Sequence, residues 1–153
     1  MLKTYTRVFA KPQMFNGVLF RSTIESDFAK FLSGVPFSYK KAGFYHTPVK
    51  WEYEQHEFEL IPQEQWIDKT ERDLRVKKAR HKKHSLHRVI YTPDFYLPEY
   101  DLYVEVKGRQ FDDELFRLRY RLFKHRYPDK AIWLLTSHEQ FDKLDEILEN
   151  LKI

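Results

Sequence analysis

The sequence contains no cysteine, and this absence excludes several classes of protein at once. A chain without thiols has no disulfide framework, no cysteine nucleophile, no thiolate zinc finger and no iron–sulfur cluster. Long apolar runs are also missing, since no stretch approaches the roughly 18 apolar residues that a membrane-spanning helix needs. The segment from Met1 to Tyr5 lacks the apolar core of a signal peptide. We therefore expect a soluble intracellular protein that has no membrane partner.

The composition is that of a chain with enough apolar mass to build a core. Hydrophobic residues make up 42% of the 153 residues, and the aromatic residues alone account for 17%. A disordered polar chain has far fewer of both, so that class is excluded as well. The length fits one domain, or one domain with an arm.

The net charge of +4 comes from one part of the chain, which we call the basic segment, residues 63–88. Its residues 75–88 contain seven Lys and Arg residues and no acid, while the rest of the protein has 20 Lys and Arg against 23 Asp and Glu. The seven residues are Arg75, Lys77, Lys78, Arg80, Lys82, Lys83 and Arg88. A cluster of cations on a near-neutral body fits contact with a nucleic-acid backbone, and it equally fits a solvated arm.

The order of apolar and polar residues predicts a mixed α/β domain. The first helix is the best defined, because Ser22 and Glu25 have the spacing of a capping box at its N-terminus. If the motif is the whole explanation of Glu25, its side chain would satisfy a backbone N–H group and have no other role. In chain order we predict a helix over 22–34, a strand over 49–61, an exposed helix or an arm in the basic segment, a hairpin over 88–107, a helix over 112–127, a strand over 131–135 and a helix over 138–151.

Charged residues of the predicted hairpin are expected to converge on one point. Because side chains alternate along a strand, Glu105 and Lys107 share one face of the return strand, opposite its core-facing apolar residues, and Asp94 lies in the partner strand. Asp94 and Glu105 supply the hard oxygen ligands that Mg²⁺ prefers, with the backbone carbonyl of Val106 as a further ligand. Lys107 would orient an attacking water or stabilise the charge that develops on a phosphate. The same residues also fit a solvent-facing ion pair of little consequence.

These residues resemble the motif of the PD-(D/E)XK nuclease superfamily. The motif is present here as Pro93-Asp94 followed by Glu105-Val106-Lys107. The sequence is most similar to the phage endonuclease I family of Holliday-junction resolvases and to related small phage nucleases. The stretches that carry this resemblance are Phe20-Arg21-Ser22 with Ile24-Glu25, Tyr91-Thr92-Pro93-Asp94-Phe95 and Val104-Glu105-Val106-Lys107-Gly108.

The resemblance implies a fold and a set of roles for these residues. The fold would be a restriction-endonuclease-like core, with a mixed central sheet flanked by helices in a single nuclease domain over residues 1–153. Asp94 and Glu105 would bind Mg²⁺, for which Mn²⁺ can substitute, and Lys107 would assist the nucleophile. Glu25 would complete the site as a further acid from an N-terminal helix, and hydrolysis would leave a 5′-phosphate.

The resemblance also implies the partner and its mode of binding. DNA would be contacted mainly through its phosphate backbone, by the seven cations of the basic segment and by Arg109, directly after the motif. Two coordinated cuts in a junction need two sites related by symmetry, so we expect a homodimer. The expected location is the cytoplasm, or the host cytoplasm if a phage encodes the chain.

Three functions fit the sequence. The first is a Mg²⁺-dependent DNA endonuclease that selects branched or four-way junction DNA. The second is a sequence-specific endonuclease of the same fold and of the restriction or homing type, which would need a base-reading element that only the basic segment can supply. The third is a DNA-binding module without catalysis, in which the three charged residues of the hairpin have lost their chemical role.

Overall fold

The computed structural model describes residues 12–38, 46–68, 82–108 and 113–152. The chain divides into two compact units. The first comprises Met1–Gln55, Pro93–Asp112 and Lys130–Ile153, and the second comprises His56–Thr92 and Asp113–Asp129. Within the described residues, no helix is both long and apolar enough to cross a bilayer.

Ten strands and three α-helices are present in the described residues. In chain order they are β1 (Gln13–Phe15), β2 (Val18–Phe20), α1 (Thr23–Leu32), β3 (Glu52–Tyr53), β4 (Phe58–Ile61), β5 (Glu64–Asp68), β6 (Lys82–Leu86), β7 (Val89–Tyr91), β8 (Phe95–Leu97), β9 (Leu102–Val106), α2 (Glu114–Arg126), β10 (Ala131–Leu135) and α3 (Leu144–Leu151). A 3-10 helix, His138–Lys143, leads directly into α3. The mixed α/β class predicted from the sequence is confirmed.

The first unit is built on a mixed four-stranded sheet in the order β10-β9-β8-β3. Strand β9 runs parallel to β10 and antiparallel to β8, and β8 runs antiparallel to β3. Buried residues of α1, the sheet and the C-terminal helices form one core, in which Phe28 of α1 contacts Phe95 edge-on at 5.1 Å and Phe141 at 5.2 Å between ring centroids. This packing fixes α1 against the strands that carry the candidate site.

Helix α1 begins where the sequence predicts. Ser22 is its N-cap, and the Ser22 hydroxyl accepts a hydrogen bond from the backbone N–H of Glu25. The helix ends at Leu32, and Gly34 follows with φ of 70°. A left-handed glycine is a common way to stop a helix, because it has no Cβ to clash in that conformation.

The predicted strand over 49–61 is instead two strands, because the backbone turns at Glu54. Glu54 has φ of 53°, which a β-strand cannot contain, and β3 ends at the preceding residue. Strand β3 pairs with β8, whereas β4 pairs with β7. The change of apolar face along this stretch therefore marks a break between two strands that have different partners.

In the second unit, the prediction of a helix at the start of the basic segment is wrong. Residues Glu64–Asp68 form β5, which pairs antiparallel with β6 at Lys82–Leu86. Backbone pairing between these distant residues outweighs the helix propensity of the charged side chains, because propensity is weaker than inter-strand contact. Residues 69–81 lie outside the described residues, and the predicted arm stays a prediction there.

Candidate active site

The hairpin of β8 and β9 brings Asp94 to Glu105. Phe95 pairs with Val104 in the antiparallel register, so the next pair along the hairpin is Asp94 and Glu105. The carboxylate of Asp94 accepts a hydrogen bond from the backbone N–H of Val106, with 2.8 Å between Asp94 Oδ2 and the nitrogen. A residue in an extended strand directs its N–H and C=O to the same side. The Val106 carbonyl therefore lies on the Asp94 side of β9.

Glu105 and Lys107 lie side by side, as the alternation along β9 predicts. Lys107 Nζ is 3.1 Å from Glu105 Oε1, and the backbone N–H of Lys107 donates to the carbonyl of Leu135 in β10 at 2.8 Å. The burial of Glu105 distinguishes this pair from an ordinary surface ion pair. Glu105 is only 3% exposed and Asp94 only 6%. The interpretation of these residues as a solvent-facing ion pair is therefore wrong for the two acids.

Glu25 is the third buried acid of the first unit's site, and both of its carboxylate oxygens are engaged. The Ser22 hydroxyl donates to Glu25 Oε1 at 3.0 Å, and the Tyr53 hydroxyl donates to Glu25 Oε2. The side chain thus reaches the N-cap hydroxyl and a tyrosine of β3. Glu25 is held in one orientation near Asp94, and its assignment as a metal ligand stays a prediction.

The three acids share one electrostatic environment, which we call the acidic site: Glu25, Asp94 and Glu105, with Lys107. Burial raises the pKa of Asp94 well above its usual range, and the negative charges of Glu105 and Glu25 raise it further. The Val106 N–H and the Lys107 ammonium lower the pKa of Asp94 but do not reverse the shift. Burial and the two neighbouring acids therefore outweigh the effect of Lys107 on the pKa of Asp94.

Tyr53, Glu54 and Arg21 belong to the surroundings of the acidic site, although none of them was assigned a role from the sequence. Burial, and then the hydrogen bond to Glu25, raise the pKa of the Tyr53 hydroxyl. The backbone N–H of Glu54 donates to the Asp94 carbonyl at 2.9 Å, and the Glu54 carboxylate pairs with the Arg21 guanidinium. Glu54, the residue after Tyr53, thus adds a fourth carboxylate and its arginine to these surroundings.

The donor set fits a hard divalent cation that keeps most of its water. Among the described residues, no three His, Asp or Glu side chains are arranged around one point that could hold a metal ion. The acidic site is thus not a closed cage of three carboxylates. What it offers is the Asp94 and Glu105 carboxylates and the Val106 carbonyl beside them. Mg²⁺ is typically bound through one or two carboxylates, several waters and a substrate phosphate, so these residues suit it.

Few of the predicted DNA-binding residues can be placed. Lys83 lies in β6 and Arg88 follows it, and both side chains are exposed on the second unit. Lys82 belongs to the same strand. The others lie outside the described residues: Arg75, Lys77, Lys78, Arg80 and Arg109. Their contact with DNA stays a prediction.

No protein-family model matches the chain, and comparisons with curated proteins and with solved structures find no match. The interpretation of the acidic site therefore depends on its own residues and their geometry.

Proposed function

We propose that this chain is a Mg²⁺-dependent endonuclease that hydrolyses the phosphodiester bonds of DNA. The observation that best supports this proposal is the buried pair of Asp94 and Glu105 with Lys107 at 3.1 Å from Glu105. Folding gains nothing from burying like charges at one point, because each loses its hydration and repels the other. A cation between the two carboxylates, and a phosphate beside that cation, give the arrangement a use.

Each residue has a distinct task in the proposed reaction. Asp94, Glu105 and the Val106 carbonyl would hold the metal, and the Val106 N–H keeps the Asp94 carboxylate in position. Bound Mg²⁺ would polarise the phosphodiester and lower the pKa of a water molecule. Lys107 would orient that water and offset the negative charge that develops on the phosphate. Glu25, fixed by Ser22 and Tyr53, would assist as a further acid beside the metal.

The proposal includes a fold, an assembly and a class of DNA. The mixed sheet, with its acids on one hairpin and one helix, supports a restriction-endonuclease-like core. The excess cations of the basic segment and Arg109 support backbone contact with DNA. The resemblance to junction resolvases supports branched DNA as the substrate and a homodimer as the active form, since paired cuts need paired sites.

A cleavage assay with three DNA substrates tests this proposal. A four-way junction, a linear duplex and a single strand of matched sequence are incubated with Mg²⁺ and the wild-type protein. Glu105→Ala removes a proposed metal ligand, and Glu146→Ala, at an exposed position of α3, is the matched control. We expect the junction to be cut by the wild type and by the control variant, and by Glu105→Ala at least a hundredfold more slowly, as about 3 kcal/mol of lost stabilisation would give.

The other outcomes separate the alternatives. Discrete fragments from the linear duplex would favour a sequence-specific endonuclease at the same acidic site. Binding of DNA without any cleavage that Glu105→Ala removes would leave a DNA-binding module and contradict the proposal.

A further inference from the structure

A cleft of about 720 Å³ opens in the first unit along the edge strand β3 and the β1–β2 hairpin. Its lining combines two aromatic side chains with amide and charged groups. The residues that matter to its chemistry are Asn16, Lys50, Trp51, Glu52, Tyr53 and Gln55. None of them was assigned a role from the sequence, and the proposed hydrolysis does not use the cleft.

Tyr53 links the cleft to the acidic site, because it is one of the residues that line the cleft and its hydroxyl donates to Glu25. The next residue, Glu54, donates its N–H to the carbonyl of Asp94 at 2.9 Å. Strand β3, which lines the cleft, is the neighbour of β8, and neighbouring strands lie about 4.8 Å apart. A nucleotide adjacent to a phosphate at the acidic site is therefore within reach of the cleft.

Trp51 supplies a fixed aromatic surface. Its indole N–H donates to the Ser33 hydroxyl at 2.8 Å, and its ring contacts Phe20 and Phe95 at 5.8 Å between centroids. Trp51 is half-buried and is one of the residues that line the cleft. Because a base can stack on an indole held in this way without ordering it first, the site favours a flat aromatic ligand.

The polar groups favour a base over a phosphate as the occupant. Asn16 and Gln55 carry both donors and acceptors, which match the edges of unpaired bases. Glu52 lines the cleft and repels a phosphate, whereas the exposed ammonium of Lys50 attracts one to the rim. A neutral base inside the cleft avoids repulsion by Glu52, and the phosphate of the same nucleotide, at the rim of the cleft, is attracted by Lys50.

We propose that this cleft binds the base of an unpaired nucleotide next to the scissile phosphate. The inference rests on the proposed endonuclease function and narrows its substrate to DNA that has unpaired nucleotides at a branch, such as a flap or a splayed arm. A fully paired duplex would leave the cleft without a base, because its bases are stacked and paired inside the helix.

A binding experiment tests the cleft independently of catalysis. Fluorescence anisotropy of a labelled short oligothymidylate is measured in the Glu105→Gln background without metal, so that no cleavage occurs. Trp51→Ala should weaken binding about 5- to 150-fold, the usual effect of removing one stacking partner, and Trp51→Phe should recover most of the affinity. Gln55→Ala, at an exposed position, should weaken binding about 2- to 10-fold, and the exposed Gln63→Ala is its matched control.

The outcomes distinguish this inference from the proposed function. If circular dichroism shows that Trp51→Ala is folded and the variant binds oligothymidylate like its parent, the inference is wrong, and junction cleavage still tests the endonuclease by itself. If Trp51→Ala does not fold, unchanged affinity in Gln55→Ala and Lys50→Ala overturns the inference. Binding that depends on Trp51 in a protein that cuts no DNA would support the base site and overturn the endonuclease.

Discussion

Replacing Asp94 by asparagine is expected to stabilise the protein in the absence of metal. The change removes one charge from a buried group of acids and keeps the shape of the side chain. The asparagine carbonyl oxygen can still accept the hydrogen bond that Val106 donates at 2.8 Å. An aspartate that served folding alone would give the opposite result, since removing a charged hydrogen-bond acceptor normally costs stability.

The substitution removes the cost of burying the Asp94 charge and its repulsion from Glu105 and Glu25. Like charges about 4 Å apart repel by roughly 4 kcal/mol at an effective dielectric constant near 20, and the repulsion falls as their separation grows. Lys107 offsets part of this repulsion. We therefore expect a gain of roughly 1–3 kcal/mol in the free energy of unfolding at neutral pH. For a chain of this size that gain raises the melting temperature by roughly 2–12 °C.

The sign of the pH dependence follows from the raised pKa of Asp94. The folded protein holds this proton to a higher pH than the unfolded chain, whose aspartates titrate near pH 4. Stability is therefore lost as the pH rises from about 4 through the folded pKa of Asp94. Asparagine has no proton to lose, so the advantage of the variant should be absent below about pH 4 and grow above it.

Thermal unfolding in a pH series, with and without Mg²⁺, measures these effects. Mg²⁺ should raise the melting temperature of the wild type, because it binds the folded state, and should have little effect on Asp94→Asn. Asp142→Asn, at an exposed position of the 3-10 helix, is the matched control and should change stability by less than about 0.5 kcal/mol. A lower melting temperature for Asp94→Asn at every pH, or an equal response of both proteins to Mg²⁺, would refute the reasoning.

Three further changes test other parts of the molecule. Tyr53→Phe removes the hydroxyl that donates to buried Glu25 and should cost about 1–3 kcal/mol in urea unfolding; an unchanged unfolding midpoint would contradict this hydrogen bond. Gly34→Ala places a Cβ 3.1 Å from the His46 carbonyl oxygen at φ of 70°, and it should lower the free energy of unfolding by about 1–2 kcal/mol or more; an unchanged melting curve would be inconsistent with that conformation. Alanine at the four cations between residues 75 and 80 should reduce the slope of log affinity for duplex DNA against log salt by about 0.9 for each phosphate that the variant no longer neutralises, and an identical slope would exclude these residues from the interface.

The features that the sequence predicts correctly depend on neighbouring residues. The capping motif at Ser22 and the hairpin around Pro98–Asp101 are local, because each is determined by a few consecutive side chains. The pairing of Asp94 with Glu105 follows from the hairpin, and the contact of Glu105 with Lys107 follows from alternation along β9. The central part of the acidic site is therefore predictable from one short stretch of sequence.

The features that the sequence does not reveal depend on distant residues. Tyr53 and Glu25 are 28 residues apart, and no local pattern connects a tyrosine of β3 with an acid of α1. The sequence predicts a helix where β5 forms for the same reason: the strand that pairs with β5 is β6, which lies beyond residues 69–81. Pairing of this kind is decided by tertiary contact, which propensity describes poorly.

The strongest indication of function was present in β9, although its meaning depends on burial. All five residues of β9 are buried, so the strand has no solvent-facing side on which a glutamate could be explained by hydration. A strand buried on both faces normally consists of apolar residues, and Glu105 interrupts that pattern between two valines. Alternation alone placed Glu105 opposite the core, where a surface ion pair would have been a sufficient explanation. Because the structure buries that face as well, a solvent-facing ion pair does not explain Glu105, whose carboxylate lies 3.1 Å from the ammonium of Lys107. The Mg²⁺ that we propose would be a further partner of both Glu105 and Asp94.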